Sequence, residues 1–144
     1  MLPVSFFVER LLEDTSQGTR ALVRHGARSF EVELIGLKEK LRGVVGTTIN
    51  CELDALEVKE WKVLERNDPN EHGLFPIKRR TVKFVGSVTN VLEMEDDRCV
   101  MDLYSCTGPE FLALDSIEVG FTRWETGTAV ELIIEGLHCF PTWT

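Results

Sequence analysis

The chain is expected to be mostly β, an antiparallel small barrel or sandwich, on three observations. Two segments open on Gly-Thr and alternate apolar and polar side chains in the same phase: Gly46-Thr47-Thr48-Ile49-Asn50-Cys51-Glu52-Leu53 and Gly127-Thr128-Ala129-Val130-Glu131-Leu132-Ile133-Ile134. A period of two belongs to a strand with one dry and one wet face. Between them, short apolar stretches recur with turn signals about every 8–12 residues, the spacing of small all-β folds. At 144 residues, 43% of them hydrophobic, the chain has the size of one domain, able to bury about 68–70% of its unfolded surface. It is read as a single compact unit of residues 1–144. The repeated Gly-Thr strand points to two related sheet units, with 1–66 and 77–144 as candidate sub-units joined by a polar loop at 67–76.

The N-terminal stretch reads two ways. Val4, Phe7, Val8, Leu11 and Leu12 fit a helix face, while Val4, Phe6 and Val8 alternate; its β-branched and aromatic content favours a strand. A hairpin follows, with 19–23 and 30–35 around His25-Gly26-Ala27-Arg28, in a register that sets Val23 across from Phe30, Ala21 from Val32 and Arg20 from Glu33. Lys38, Glu39, Lys40 and Arg42, between Leu37 and Leu41, suit a polar connection or a short helical turn that delivers the first Gly-Thr strand. Arg66-Asn67-Asp68-Pro69-Asn70-Glu71-His72-Gly73 is rich in turn formers and forms the polar loop. From Thr81 the apolar pattern resumes through Val82, Phe84, Val88 and Val91, with Gly86 marking a bulge or tight bend. Glu95-Asp96-Asp97-Arg98 turns the chain into 99–104, Cys106-Thr107-Gly108-Pro109 into 111–114, and the second Gly-Thr strand runs on towards Trp143, expected to pack under the barrel.

Residues 82–140 resemble the oligonucleotide/oligosaccharide-binding (OB) barrel. The likeness lies in a long strand with a central glycine (Val82-Lys83-Phe84-Val85-Gly86-Ser87-Val88), a hairpin, a third short strand and the late Gly-Thr-Ala-Val-Glu-Leu-Ile-Ile strand. That resemblance implies an OB-like fold and, as an alternative function, nucleic-acid or oligosaccharide binding. An OB reader of nucleic acid uses a positive groove lined with aromatic side chains.

Composition narrows the function. No long apolar run reads as a membrane span, and Glu9 and Arg10 interrupt the first apolar stretch before a signal-peptide core is complete, so a cytoplasmic protein is expected. Four cysteines without CxxC spacing fit free thiols in a reducing compartment. Residues 1–83 hold 14 Lys and Arg against 13 Asp and Glu, whereas 84–144 hold 2 against 11, so the formal charge of −8 belongs to the C-terminal part. A folded unit that acidic repels phosphate and attracts cationic surfaces.

No catalytic constellation emerges. The chain has no Gly-x-Ser-x-Gly elbow, Walker A or Gly-x-Gly-x-x-Gly pattern, and Glu33, Glu52, Glu131 and Glu135 fall on wet strand faces, where a general acid or base is not desolvated. His138 and Cys139 are strand neighbours pointing to opposite faces, and His25 and His72 have no sequence-near partner, so neither a metal nor another cofactor is expected. Two charge clusters remain. Glu93, Glu95, Asp96 and Asp97 crowd one hairpin tip and would be relieved by a cationic partner, which makes a non-enzymatic module engaging a basic protein, of inhibitor or immunity type, the leading reading. Lys78, Arg79, Arg80 and Lys83, with Phe75, Phe84 and Trp61 as stacking surfaces, form the alternative nucleic-acid site; the acidic remainder of the chain argues against that ligand.

Overall fold

The computed structural model describes residues 4–107 and 111–142. Their elements are β1 (Val4–Asp14), β2 (Gly18–His25), β3 (Arg28–Ile35), α1 (Lys38–Arg42), β4 (Thr48–Val63), β5 (Gly73–Lys78), β6 (Thr81–Glu93), β7 (Cys99–Tyr104), β8 (Phe111–Asp115) and β9 (Ala129–Pro141), with 3₁₀ turns at Pro69–Glu71 and Ser116–Val119. Trp143 lies outside the described residues, as does part of the expected turn at 106–109.

All nine strands belong to one sheet, ordered β1-β2-β3-β9-β4-β8-β7-β6-β5, and two additional pairings, β1 with β4 and β9 with β6, fold it into two closed rings. One ring is β1-β2-β3-β9-β4 and the other is β6-β7-β8-β4-β9, with β5 added at the outer edge of β6. The two Gly-Thr strands, β4 and β9, are the members common to both. They run antiparallel along each other from the Cys51–Pro141 pair to the Val63–Val130 pair, so each contributes one half to each barrel.

The Gly-Thr repeat is therefore a repeat of topology. In each unit a three-stranded meander leads through a helical turn (α1, or Ser116–Val119) into a Gly-Thr strand, and one apolar residue of each turn, Leu41 or Val119, is fully buried. The backbone around the motif is the same twice. Gly46 N–H donates to the Val8 carbonyl and Val8 N–H to the Thr47 carbonyl (2.8 and 2.9 Å); Gly127 and Thr128 make the same pair of bonds with Val88 (2.7 and 2.9 Å). The register follows suit, with Phe6 opposite Ile49 and Val4 opposite Cys51 in one unit, Gly86 opposite Val130 and Phe84 opposite Leu132 in the other.

Alternation builds the cores. Val4, Phe6 and Val8 of β1 are buried, which settles the N-terminal stretch as strand, and Ile49, Cys51 and Leu53 face them from β4 in the first barrel. Val130, Leu132 and Ile134 of β9 are fully buried in the second barrel with Phe84, Val88, Met101 and Leu103. Each such side chain removed from water contributes about 1.5–3 kcal/mol before entropy is counted. The β2–β3 hairpin has the expected register, with Val23 opposite Phe30, Ala21 opposite Val32 and Arg20 opposite Glu33, on the two-residue turn Gly26-Ala27.

A strand that serves two barrels must change which face points inward. In β9 the buried positions step from Ile134 to Leu137, and in β4 from Ala55 to Val58. The change in β9 occurs at Gly136, whose φ of +80° is in the left-handed region and whose missing Cβ would lie 3.0 Å from Leu56 Cδ2. A second shift, between Val58 and Glu60 of β4, keeps Trp61 and Val63 on the face of Val58. Gly86 has a different role from the expected bulge, which lies two residues on, between Val88 and Asn90; a Cβ at Gly86 would meet the Tyr104 carbonyl at 2.4 Å.

Candidate functional site

The acidic tip is the β6–β7 hairpin. Asp96 and Asp97 occupy its turn at φ of +60° and +59°, both left-handed, a pattern that matches the twist of the flanking strands. Asp and Asn tolerate that region better than other residues with a Cβ, which accounts for the Asp-Asp pair. Of the four predicted acids, Glu93 is tied to Arg123 from the loop before β9, while Glu95, Asp96 and Asp97 project into solvent. Arg98, next to the turn, reaches Asp115 at the end of β8; that bond holds the Asp115 carboxyl below its usual range.

A second acidic group comes from elements far apart in the chain. The parallel approach of β8 to β4, where Ala113 is opposite Asp54, brings Asp54 and Glu57 of β4 beside Asp115 and Glu118. Burial raises the Glu118 pKa, and the Asp54, Asp115 and Glu57 charges raise it further, although its carboxylate accepts the Val58 N–H. Asp54 is also raised, first by burial and then by Asp115, against the pull of His138. Two cations moderate the cluster: Lys59 lies 3.2 Å from Glu57, and Arg98 pairs with Asp115. No local motif marks this group, because it is built by strand pairing.

The basic cluster sits at the opposite hairpin. Lys78 ends β5, Arg79 and Arg80 form the tight β5–β6 turn with Arg80 at φ +66°, and Lys83 lies on β6 opposite Phe75. The turn leans on the first barrel, where Arg79 Nε donates to Glu31 Oε2 at 2.9 Å, and Lys78, Arg79 and Arg80 line a groove of about 260 Å³ with Leu22, Phe30 and Pro76. The proposed stacking surfaces separate. Phe84 is buried in the second core and cannot meet a base, a correction that follows from its inward phase on β6. Phe75 already carries two cations, the Arg28 guanidinium at 4.3 Å and the Lys83 ammonium at 5.0 Å from its ring centre. Trp61 belongs to the far half of β4, opposite Leu132.

None of the protein families, curated proteins or solved structures compared with this chain matches it. The geometry therefore stands alone. Of the histidines, His72 is buried and structural: Nε2 donates to Asn67 Oδ1 at 2.6 Å and Nδ1 accepts the Cys106 N–H at 3.2 Å, an arrangement that needs the neutral ring. Burial lowers its pKa accordingly. Cys51 and Cys139 meet inside the first barrel, where burial and the neighbouring thiol push Cys139 well above the ordinary thiol range. Among the described residues no helix is long and apolar enough to cross a membrane.

Proposed function

We propose that the chain is a cytoplasmic, non-enzymatic binding module whose acidic C-terminal barrel engages a basic protein, as an inhibitor or immunity protein does. The observation that carries this reading is the convergence of Asp54, Glu57, Asp115 and Glu118 from elements far apart in the chain; burial first, and neighbouring carboxylates after it, raise the pKa of Asp54 and Glu118, and a partner's Lys or Arg would relieve them. Residues 56–135, which make most of the second barrel, hold 16 Asp and Glu against 9 Lys and Arg, so the field around the cluster is negative beyond the cluster itself. The exposed acids Glu95, Asp96 and Asp97 extend the same sign to the hairpin tip.

Electrostatic steering is the expected signature. Affinity capture from the native source is predicted to retain a basic protein whose association rate falls by about tenfold or more as salt is raised from about 20 mM to about 300 mM. The variant Asp54→Asn/Glu57→Gln/Glu118→Gln lowers that rate. Capture of no basic protein, or an on-rate indifferent to salt, refutes the proposal.

One observation favours a second reading, an OB-like binder of nucleic acid or oligosaccharide: the groove that holds Lys78, Arg79 and Arg80 against Phe30. Titration with labelled single-stranded DNA and RNA at low salt separates the two. Binding weaker than about 100 μM, the generic non-specific level, removes the nucleic-acid version.

A further inference from the structure

The ring of the second barrel closes between β4 and β8 at a single residue pair, and beyond it one edge of β4 is uncovered. β4 pairs with β9 along its length, and its other edge is taken by β1 over Thr48–Cys51 and by β8 only at Asp54. From Lys59 to Val63 that edge has no strand partner among the described residues, and all five residues are exposed. In the first unit the pairing equivalent to that of β8 with β4 is that of β3 with β9, also parallel and also short, at His138 and Cys139.

The open edge carries an apolar face. Trp61 is opposite Leu132 and Val63 opposite Val130, and directly opposed residues of an antiparallel pair share a face. Both partners are fully buried, yet Trp61 is 43% and Val63 55% exposed: the core face of the barrel continues past its last covering element. Phe121 follows Gly120, near which the Trp61 ring lies; it is 54% exposed and held at φ +61°, where a bulky residue is rarely found.

Natural edges are usually protected by lysine. Here Lys59 and Lys62 turn towards the paired side, to Glu135 at 3.5 Å and Glu131 at 3.4 Å on β9, and leave the Trp61 face bare. At the start of the edge Glu118 accepts the Val58 N–H, which places the carboxylate cluster in line with it.

We infer that the edge of β4 from Lys59 to Val63 is the docking site for an extended, cationic segment of a partner protein, which adds as a strand with apolar side chains against Trp61 and Val63 and Lys or Arg beside Glu57 and Glu118. The inference rests on the binding-module reading and deepens it by naming the surface and the form of the ligand. Charge complementarity selects the occupant. A second copy, at −8, would bring the same acidic surface against its own, whereas a Lys- or Arg-bearing strand satisfies the backbone edge, the apolar face and the carboxylates together.

The test uses a fluorescent peptide of alternating Lys and Val and the same peptide with every second backbone nitrogen methylated, which blocks one hydrogen-bonding edge. The unmodified peptide is expected to bind about tenfold or more tightly than the methylated one, to weaken several-fold on Trp61→Ala, and to lose most of its salt dependence on Glu57→Gln/Glu118→Gln. Trp61 and Glu57 are exposed and Glu118 is half-buried, and thermal unfolding of the variants checks that each is folded. Equal binding of both peptides overturns strand addition and leaves the acidic module standing. Binding of neither overturns both. A dimer by light scattering that Trp61→Ala dissolves assigns the edge to a second copy and overturns the cationic occupant.

Discussion

Gly136→Ala tests the crossing of the two barrels at its narrowest point. At φ +80° an added Cβ costs about 1–2 kcal/mol for the left-handed conformation alone. It also meets Leu56 Cδ2 and Cβ at 3.0 and 3.1 Å, closer than van der Waals contact, so the Leu56 side chain must give way. Reduced freedom of the unfolded chain returns about 0.4–1 kcal/mol, which leaves a net loss of about 1–2 kcal/mol. For a chain of this size that is about 3–6 °C in Tm. The contributions separate in a double-mutant cycle with Leu56→Ala, a change at a half-exposed residue: truncating Leu56 removes the Cδ2 contact and leaves the Cβ contact and the backbone cost, so the cycle should show a coupling of about 0.5 kcal/mol or more. Urea and thermal unfolding followed by tryptophan fluorescence provide the energies. An unchanged Tm for Gly136→Ala, or strict additivity with Leu56→Ala, refutes the account of how β9 passes from one barrel to the other.

The raised pKa of Glu118 means that the folded state holds its proton more tightly than the unfolded state, so the ionised group opposes folding above that pKa and ceases to do so as pH falls through it. Glu118→Gln should therefore raise the urea midpoint at pH 7 and lose that advantage near pH 4, while keeping an acceptor for the Val58 N–H. His72 acts with the opposite slope: its folded pKa lies below the unfolded 6.5, so its contribution is complete above that value and declines as pH falls below it. His72→Ala, which removes a buried ring and its bonds to the Cys106 N–H and Asn67 Oδ1, should cost about 1–3 kcal/mol by denaturant unfolding and flatten the pH dependence below 6.5. Of the four free cysteines only Cys106 is exposed, so a thiol reagent should titrate one group in the native protein and four in denaturant; fast native reaction of more than one contradicts the buried placement of Cys51, Cys99 and Cys139.

Much of the fold was legible from side-chain alternation. The hairpin of β2 and β3 could be registered because apolar residues had to meet apolar ones and Arg20 had to meet Glu33. The dry faces of the Gly-Thr strands likewise identified Ile49, Cys51 and Leu53 with Val130, Leu132 and Ile134 before any pairing was known. The candidate site was less legible. The hairpin acids Glu93, Glu95, Asp96 and Asp97 are consecutive enough to be seen in the chain, but Asp54 and Glu57 are separated from Asp115 and Glu118 by three hairpin turns. Phe84 was misjudged as a stacking surface because the phase of β6, which directs it inward, is set by β9.

Side-chain alternation is enough to show that this protein is built of strands, which face of most of them is dry, and that its Gly-Thr unit occurs twice. Those properties are local: strand geometry sends successive side chains to opposite faces, and water sorts them. Strand pairing in three dimensions is what makes β4 and β9 common to two barrels, leaves β4 an open edge beyond Asp54, and brings four carboxylates together beside it. Backbone edges are chemically alike, so which strand pairs with which depends on how the whole apolar surface can be buried at once. Charge clustering follows from that choice, because electrostatic energy depends on distance in space and is indifferent to distance along the chain.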